Sequence, residues 1–453
     1  MQIAVVGTGY VGLVSGVCLS EFGFNVTCVD KDEAKIANLQ KHILPIFEPG
    51  LDALVEKNLR AGKLTCSTDL RTSVAKADLV IVAVGTPEGA DGMPDIGQLN
   101  AVMAEIANAI SGYTVIAIKS TVPVGTNRAA AELIRKLNPK ADFDVVSNPE
   151  FLREGAAIED FMSPDRVVVG TDSPRARELM GKLCEPICMG GAQVLYTTFE
   201  SAELIKYAAN SLLAARITFI NEMADLCEKT GANVMDVAKG IGMDHRIGDK
   251  FLRPGPGYGG SCFPKDTMAM RQMARAAGAP SSIIEATVDS NHRRKLRMVE
   301  KVIKAAGGSV QGKTIATLGL TFKPGTDDMR ESPSLVILPE LMKAGATIRA
   351  YDPQGMKEAA KLLTGAISWC DDAYSAMEGA DMILLITEWN EFKSLDFDRA
   401  KKLLKAPLVI DLRNIYRRQV MLKQGLHYVS IGRSAVVPGQ TSLEDLAGGD
   451  KAA

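Results

Sequence analysis

Short runs of consecutive apolar residues, rich in Val and Ile, alternate with helical periodicity through the first 197 residues. The pattern predicts strands at 2–6, 25–29, 79–84, 114–118, 144–146 and 166–170. Leu79-Val80-Ile81-Val82-Ala83-Val84 shows the type: with no polar side chain in the run, both faces must be covered. Such strands, separated by helices, imply a parallel sheet with helices on either side. From about 200 to 229 the pattern becomes one long helix, apolar nearly all round between Leu204 and Leu226 and so expected to be buried, with Gly231 as its stop. Thirty residues reach roughly 45 Å, enough to cross a domain boundary. Further helices are expected near 233–240, 265–277 and 281–306. A second strand series follows at 314–320, 347–351, 382–386, 408–411 and 427–431. It echoes the first, since Asp381-Met382-Ile383-Leu384-Leu385-Ile386 parallels Asp78-Leu79-Val80-Ile81-Val82-Ala83.

The first strand ends in Gly7-Thr8-Gly9-Tyr10-Val11-Gly12, a helix follows over 11–22, and the second strand ends in Asp30. Strand, G-x-G-x-x-G, helix and a distant acidic residue together form the dinucleotide-binding fingerprint. The glycines let backbone N–H groups and the helix N-terminus approach a pyrophosphate. Asp30 would accept hydrogen bonds from ribose hydroxyls and repel a 2′-phosphate by about 4 kcal/mol per charge at ~4 Å and an effective dielectric of ~20. NAD is therefore expected rather than NADP, although Lys31 is adjacent. The second series lacks the full fingerprint and is expected to bind something else. The expected fold is α/β, with two Rossmann-like parallel-sheet domains joined by a long central helix and a helical middle region. The boundaries are 1–197, 198–306 and 307–435, with a loose tail over 436–453.

Turns after the next strands, Gly85-Thr86-Pro87 and Ser120-Thr121-Val122-Pro123, leave the same sheet edge, so Thr86 and Thr121 read either as cofactor-side residues or as turn formers.

Composition narrows the field. Formal charge is −2, with 52 basic and 54 acidic residues spread along the chain, and this gives no reason to expect nucleic acid or a membrane surface as partner. The chain enters a strand at once with no basic leader, and no apolar run reaches membrane-spanning length, so a cytoplasmic protein is expected. Eight scattered cysteines contain no C-x-x-C, and Cys184/Cys188 lack partners for a zinc site; neither metal nor disulfide is expected.

One cysteine stands apart. Cys262 lies in Gly257-Tyr258-Gly259-Gly260-Ser261-Cys262-Phe263-Pro264-Lys265-Asp266, just before a helix. A free thiol is only about 3% thiolate at pH 7, and a helix N-terminus or a lysine raises that fraction. Lys206 and Asn210 fall one turn apart on the long helix. Buried there, they need partners, either a developing alkoxide or a neighbouring carboxylate. Glu150 and Glu154, in Asn148-Pro149-Glu150-Phe151-Leu152-Arg153-Glu154-Gly155, would activate water or else cap a helix begun by Pro149.

With these segments assembled, and with Thr321-Phe322-Lys323-Pro324-Gly325-Thr326-Asp327-Asp328-Met329-Arg330, the chain resembles the UDP-glucose 6-dehydrogenase family over residues 1–435. The resemblance implies an NAD-dependent four-electron oxidation of the C6 alcohol of UDP-glucose to the carboxylate. In it Cys262 forms a thiohemiacetal and then a thioester, Lys206 and Asn210 stabilise oxyanions, Asp266 with Thr121 handles water and protons, and Glu150 is the base for hydrolysis. For the cofactor it implies Gly7, Gly9, Tyr10, Val11, Gly12, Asp30, Lys35, Thr86, Thr121, Glu154, Lys265 and Arg330. For the substrate it implies Glu150, Phe151, Leu152, Arg153 and Glu154, with Lys206, Asn210 and Arg246. The loop residues Phe251, Leu252, Arg253, Gly255, Tyr258 and Gly259 join them, as do Phe322 and Lys323. It further implies a homodimer or higher oligomer built around the central helix, with Arg246 reaching a neighbouring subunit. Other nucleotide-sugar dehydrogenases, acting on GDP-mannose or a UDP-N-acetylhexosamine, share the chemistry. A two-electron β-hydroxyacid dehydrogenase would need no cysteine.

Overall fold

A computed structural model describes residues 1–443 and 445–446. It divides into two units, Met1–Ala209 with Met268–Ala279, and Asn210–Thr267 with Pro280–Ala453. The last seven residues of the expected tail lie outside the described residues.

The first unit holds β1 (Gln2–Val6), β2 (Asn25–Val29), β3 (Leu64–Ser67), β4 (Leu79–Val82), β5 (Thr114–Ile118), β6 (Phe143–Ser147), β7 (Arg166–Gly170) and β8 (Gln193–Thr197). They form one sheet in the order β3-β2-β1-β4-β5-β6-β7-β8. β1 to β6 are parallel, with Val5 opposite Cys28 on one side and Ile81 on the other. β7 meets β6 antiparallel at Ser147–Gly170, and β8 runs parallel to β7, so the last two strands reverse the expected all-parallel sheet. Alternation along β1 explains why both faces are covered. Ile3 and Val5 enter a core with Leu13, Val17 and Val115, while Ala4 and Val6 enter another with Leu99, Met103 and Ile134. β3, β8 and the short β11 below were not expected. They are edge strands with polar or half-exposed positions, so they lack the continuous apolar run of a buried parallel strand.

The second unit holds β9 (Thr314–Leu318), β10 (Thr347–Tyr351), β11 (Ile367–Trp369), β12 (Met382–Leu385), β13 (Leu408–Asp411) and β14 (His427–Ser430), in the parallel order β11-β10-β9-β12-β13-β14. The internal echo is physical. Gly319 after β9 has φ +84°, as Gly7 after β1 has φ +98°, and Asp352 follows β10 as Asp30 follows β2. Asp352, however, is spent internally. Its carboxylate accepts from the amides of Leu320 (2.6 Å), Thr321 (3.1 Å) and Gly355 (2.7 Å) and from Trp389 Nε1 (3.1 Å). It has no capacity left for a ribose diol.

The helical middle region has no core of its own. Ile220 and Ala224 of the helix Phe199–Thr230, with Val234, Leu252, Met298 and Val302, join Ile315, Ile337, Ile348 and Leu384 around the second sheet. That helix spans 32 residues and ends just before Gly231, as expected. It is not buried all round: Leu212 (64%), Phe219 (48%) and Leu226 (54%) are exposed, spaced seven residues apart along one stripe. The start of the expected tail is also ordered. Val436 pairs antiparallel with Tyr428, and Val436 and Leu446 are fully buried.

Candidate active site

In the first unit the glycine turn is dictated by space. A Cβ on Gly7 would stand 2.6 Å from the Ala83 carbonyl oxygen, whereas nothing lies within 4 Å of the corresponding point on Gly9. Backbone approach is therefore open at Gly9, which caps the helix Tyr10–Glu21 without a side chain. Its first turn includes Val11 and Gly12. Asp30 accepts from the Thr8 amide (2.9 Å) and hydroxyl (2.7 Å), the Asp32 amide (3.1 Å) and Lys35 Nζ (3.1 Å). Burial opposes its charge, but these donors outweigh burial and lower its pKa to about 2. A fixed anion thus stands at the end of β2. Thr86 Oγ1 donates to the Thr121 carbonyl (2.9 Å), which brings the two threonine turns together beyond β4 and β5.

Asn148–Gly155 is a loop, and the expected helix start at Pro149 is absent; the next helix is Ala157–Met162. Glu150 caps nothing. Its carboxylate binds Lys206 Nζ (2.9 Å) and the Leu152 amide (2.6 Å), with both charged side chains almost fully buried. Burial would raise the Glu150 pKa, but Lys206, the Leu152 N–H and the nearby Lys119 outweigh it, and the net direction is down. Phe151 lies under the Arg166 guanidinium (3.7 Å) and within 5.5 Å of Lys206 Nζ. Arg153 is engaged by Asp160 (2.9 Å), and Glu154 is half-buried in the same loop.

In the second unit Asp266 is the hub. It accepts from Asn210 Nδ2 (2.6 Å) and Lys265 Nζ (2.7 Å) and is 1% exposed. Cys262 is half-buried immediately before the helix Phe263–Ala276, and its carbonyl takes the Asp266 amide (2.8 Å). Lys206 and Asn210 thus both reach carboxylates, the second of the two options the sequence left open. The loop leading to Cys262 is pinned by neighbours. Gly255 N–H donates to Asn221 Oδ1 (2.8 Å), Tyr258 N–H to Asn291 Oδ1 (2.8 Å), and Arg294 Nε to the Gly255 carbonyl (3.0 Å). Gly260, at φ +84°, would place a Cβ 2.7 Å from the Phe322 ring, and its N–H reaches the Arg330 carbonyl (2.8 Å). Leu252 is buried, Phe251 holds φ +61°, and Lys323 Nζ lies 5.4 Å from the Phe322 ring. Arg253 is exposed beside them, and Gly259 is buried. The Arg330 guanidinium lies on Asp328 (2.8 Å) and that of Arg246 on Asp244 (3.0 Å); Arg246 stands on an exposed turn.

Three family models match the chain consecutively, all of the UDP-glucose/GDP-mannose dehydrogenase family: the NAD binding domain over residues 1–188, the central domain over 200–293 and the UDP binding domain over 316–418. The chain belongs to this family. It is 55% identical over 436 residues to the UDP-glucose 6-dehydrogenase of Rhizobium meliloti (strain 1021), covering 96% of this chain and 100% of the relative. It is 46% identical to the UDP-glucose 6-dehydrogenase TuaD of Bacillus subtilis (strain 168), covering 96% and 94%. Among solved structures, a UDP-glucose dehydrogenase from Pyrobaculum islandicum superposes with TM-score 0.88 at 31% identity, covering 95% of this chain and 98% of the other. A UDP-D-ManNAc dehydrogenase from Pyrococcus horikoshii gives 0.83 at 27% identity, covering 96% and 99%. The protein is an NAD-dependent oxidoreductase of this UDP-glucose/GDP-mannose dehydrogenase family, and the open turn at Gly9 with the anionic Asp30 fits that cofactor.

Several residues that build these clusters escaped the sequence reading. Lys119 is buried beside Glu150, with Nζ 3.2 Å from Asn148 Oδ1. Glu48 is 5% exposed and accepts from the Tyr10 hydroxyl and from the amides of Gly155 (2.6 Å) and Ala157 (2.8 Å). It ties the fingerprint helix to the Glu150 loop. Asn221, Asn291 and Arg294 pin the cysteine loop. A polar residue on an otherwise apolar helix face, as Asn221 is between Ile220 and Ala224, is the signal that could have found the last three. Glu48 lies in a loop without periodicity and gave none. Among the described residues no cluster suited to a metal is present, and no helix is long and apolar enough to cross a membrane.

Proposed function

We propose that this protein oxidises the C6 alcohol of UDP-glucose to UDP-glucuronate through a covalent bond to Cys262. NAD, when bound, accepts one hydride in each of two oxidations. The chain's residues do the remainder. In the first oxidation a C6 hydrogen leaves as hydride and the hydroxyl proton passes through water to Asp266 as the aldehyde forms, with Lys206 and Asn210 stabilising negative charge on oxygen. The Cys262 sulfur adds to the aldehyde carbon, giving a thiohemiacetal, and loss of its C6 hydrogen as hydride leaves a thioester. Glu150 removes a proton from water. The C–O bond forms, the C–S bond breaks, and sulfur leaves as thiolate. Asp266 orients Asn210 and holds protons in exchange with Lys265.

The observation that carries this reading is the placement of Cys262 at the start of the helix Phe263–Ala276, with Asp266, Asn210 and Lys265 hydrogen-bonded one turn further on. Charge on the sulfur is favoured at that helix end. A two-electron dehydrogenase needs no thiol there. The names of the two curated relatives given above support the substrate. The residues around Phe322 and Lys323, within the match to the UDP binding domain, would hold its nucleotide, and Arg330 would meet a phosphate group. A reducing compartment, the cytoplasm, suits eight cysteines none of which forms a disulfide. The exposed stripe Leu212, Phe219 and Leu226 supports self-association along the long helix.

The deciding experiment is the NADH yield per UDP-glucose consumed, run beside GDP-mannose and UDP-N-acetylhexosamines. Two NADH and one acid per UDP-glucose are expected. One NADH with free aldehyde released would overturn the mechanism, and turnover of a different sugar alone would overturn the substrate.

A further inference from the structure

Two buried lysines act on one carboxylate in the first unit, one in direct contact and one through space. Lys206 occupies Glu150 Oε1 directly, and the Leu152 amide takes Oε2. Lys119, at the end of β5 and 8% exposed, has no carboxylate of its own; its Nζ reaches Asn148 Oδ1 at 3.2 Å and lies 5.7 Å from the Phe161 ring. Asn148 is committed to this orientation, because its Nδ2 donates to the Val168 carbonyl at 2.9 Å. A structural ion pair requires one cation, and a second buried ammonium is unfavourable without a further use. Burial pulls the Lys119 pKa down to about 8; Glu150 partly restores it and Lys206 opposes it. The other charged or titratable groups around it are Cys184 on the helix Pro174–Cys188, Asp160 on Ala157–Met162 and Arg166 on β7. They line the same cavity of about 60 Å³ as Lys119, Asn148 and Glu150. Asp160 is engaged by Arg153, and Arg166 covers Phe151.

We propose that Lys119 is a positioning residue for Glu150. Its ammonium, aimed by Asn148, holds Glu150 as a carboxylate, and its release of a proton allows Glu150 to take one from water. The charge balance gives the reason. If Glu150 accepts a proton while Lys119 and Lys206 are both charged, two uncompensated positive charges are left in a buried site. If Lys119 has first lost its proton to solvent, one remains. The water proton goes to Glu150, its hydroxide portion to the acyl carbon, and the electron pair of the broken C–S bond to sulfur. This inference rests on Glu150 acting as the base for thioester hydrolysis.

The test follows, in single turnover with excess NAD, NADH formation and the release of acid product separately as a function of pH, in the wild type, Lys119→Arg, Lys119→Met and Glu150→Gln. Wild-type release should accelerate as pH rises through about 8. Lys119→Arg, permanently charged, should lack that rise and fall about fivefold or more below wild type at pH 9. Lys119→Met should match the wild type at pH 9 and exceed it at pH 7. NADH formation in single turnover shows that each variant is folded and binds both ligands. Superimposable pH profiles, or equal losses in Lys119→Arg and Lys119→Met at every pH, would overturn the role of Lys119. A Glu150→Gln variant that releases acid at the wild-type rate would remove the base assignment, and this inference with it. The NADH yield would still report on the thioester reading separately.

Discussion

At the residue scale, chemistry depends on how few groups are free to change charge. Asp266 accepts from Asn210 and Lys265, and Glu150 from Lys206 and an amide, so both carboxylates are held in fixed positions while lone pairs remain to take a proton. The thiol is the element without a substitute. Cys262→Ala should lower acid formation by about three orders of magnitude or more, measured as glucuronate released. Cys262→Ser has a weaker nucleophile and a poorer leaving group, and should accumulate a covalent ester detectable as added mass; an unmodified protein after turnover would contradict this. Asp30 gives a pH prediction of definite sign. Its folded pKa, about 2, lies below the unfolded value near ~3.9. Its charge therefore stabilises the fold above about pH 4, and that contribution disappears as pH falls through about 2. The melting temperatures of wild type and Asp30→Asn should differ at pH 5 and converge over that acid interval.

At the scale of elements, the cysteine loop is a backbone structure that side chains of neighbouring elements hold in place. Asn221 and Asn291 meet its amides, and the Phe322 ring fills the space where a side chain on Gly260 would stand. Gly260→Ala combines a positive φ with a close contact and should destabilise by about 1–3 kcal/mol, read from denaturant midpoints, with a larger proportional loss of activity than of stability. These facts also show which parts were readable beforehand. The strands with continuous Val/Ile runs were evident because burial on both faces leaves a sequence signature. The edge strands β3, β8 and β11 were not, since their pairing is carried by backbone bonds and leaves little pattern in side chains. Pro149 suggested a helix start, yet the loop follows the buried Lys206–Glu150 pair instead, whose burial requires the carboxylate to turn inward.

At the scale of the whole molecule, the second sheet retains the layout of the first without its dinucleotide turn, because Asp352 is consumed by amides and Trp389. Val436 and Leu446 close the core of that second unit. Replacing the buried Val436 and Leu446 together by Ala should lower stability by about 3–5 kcal/mol, read as a fall in the melting temperature. An unchanged melting temperature would show that these two side chains contribute nothing to packing.

The sequence alone determined what local chemistry can determine: apolar periodicity, a glycine turn that only one backbone shape satisfies, and a thiol set before a helix. It could not determine which carboxylate a buried lysine meets, that Lys119 stands beside Glu150, or that Glu48 joins the Tyr10 helix to a loop more than a hundred residues away. Those outcomes depend on desolvation. A charge inside a protein takes the partner that the packing of distant strands brings to it, and no spacing along the chain records that distance.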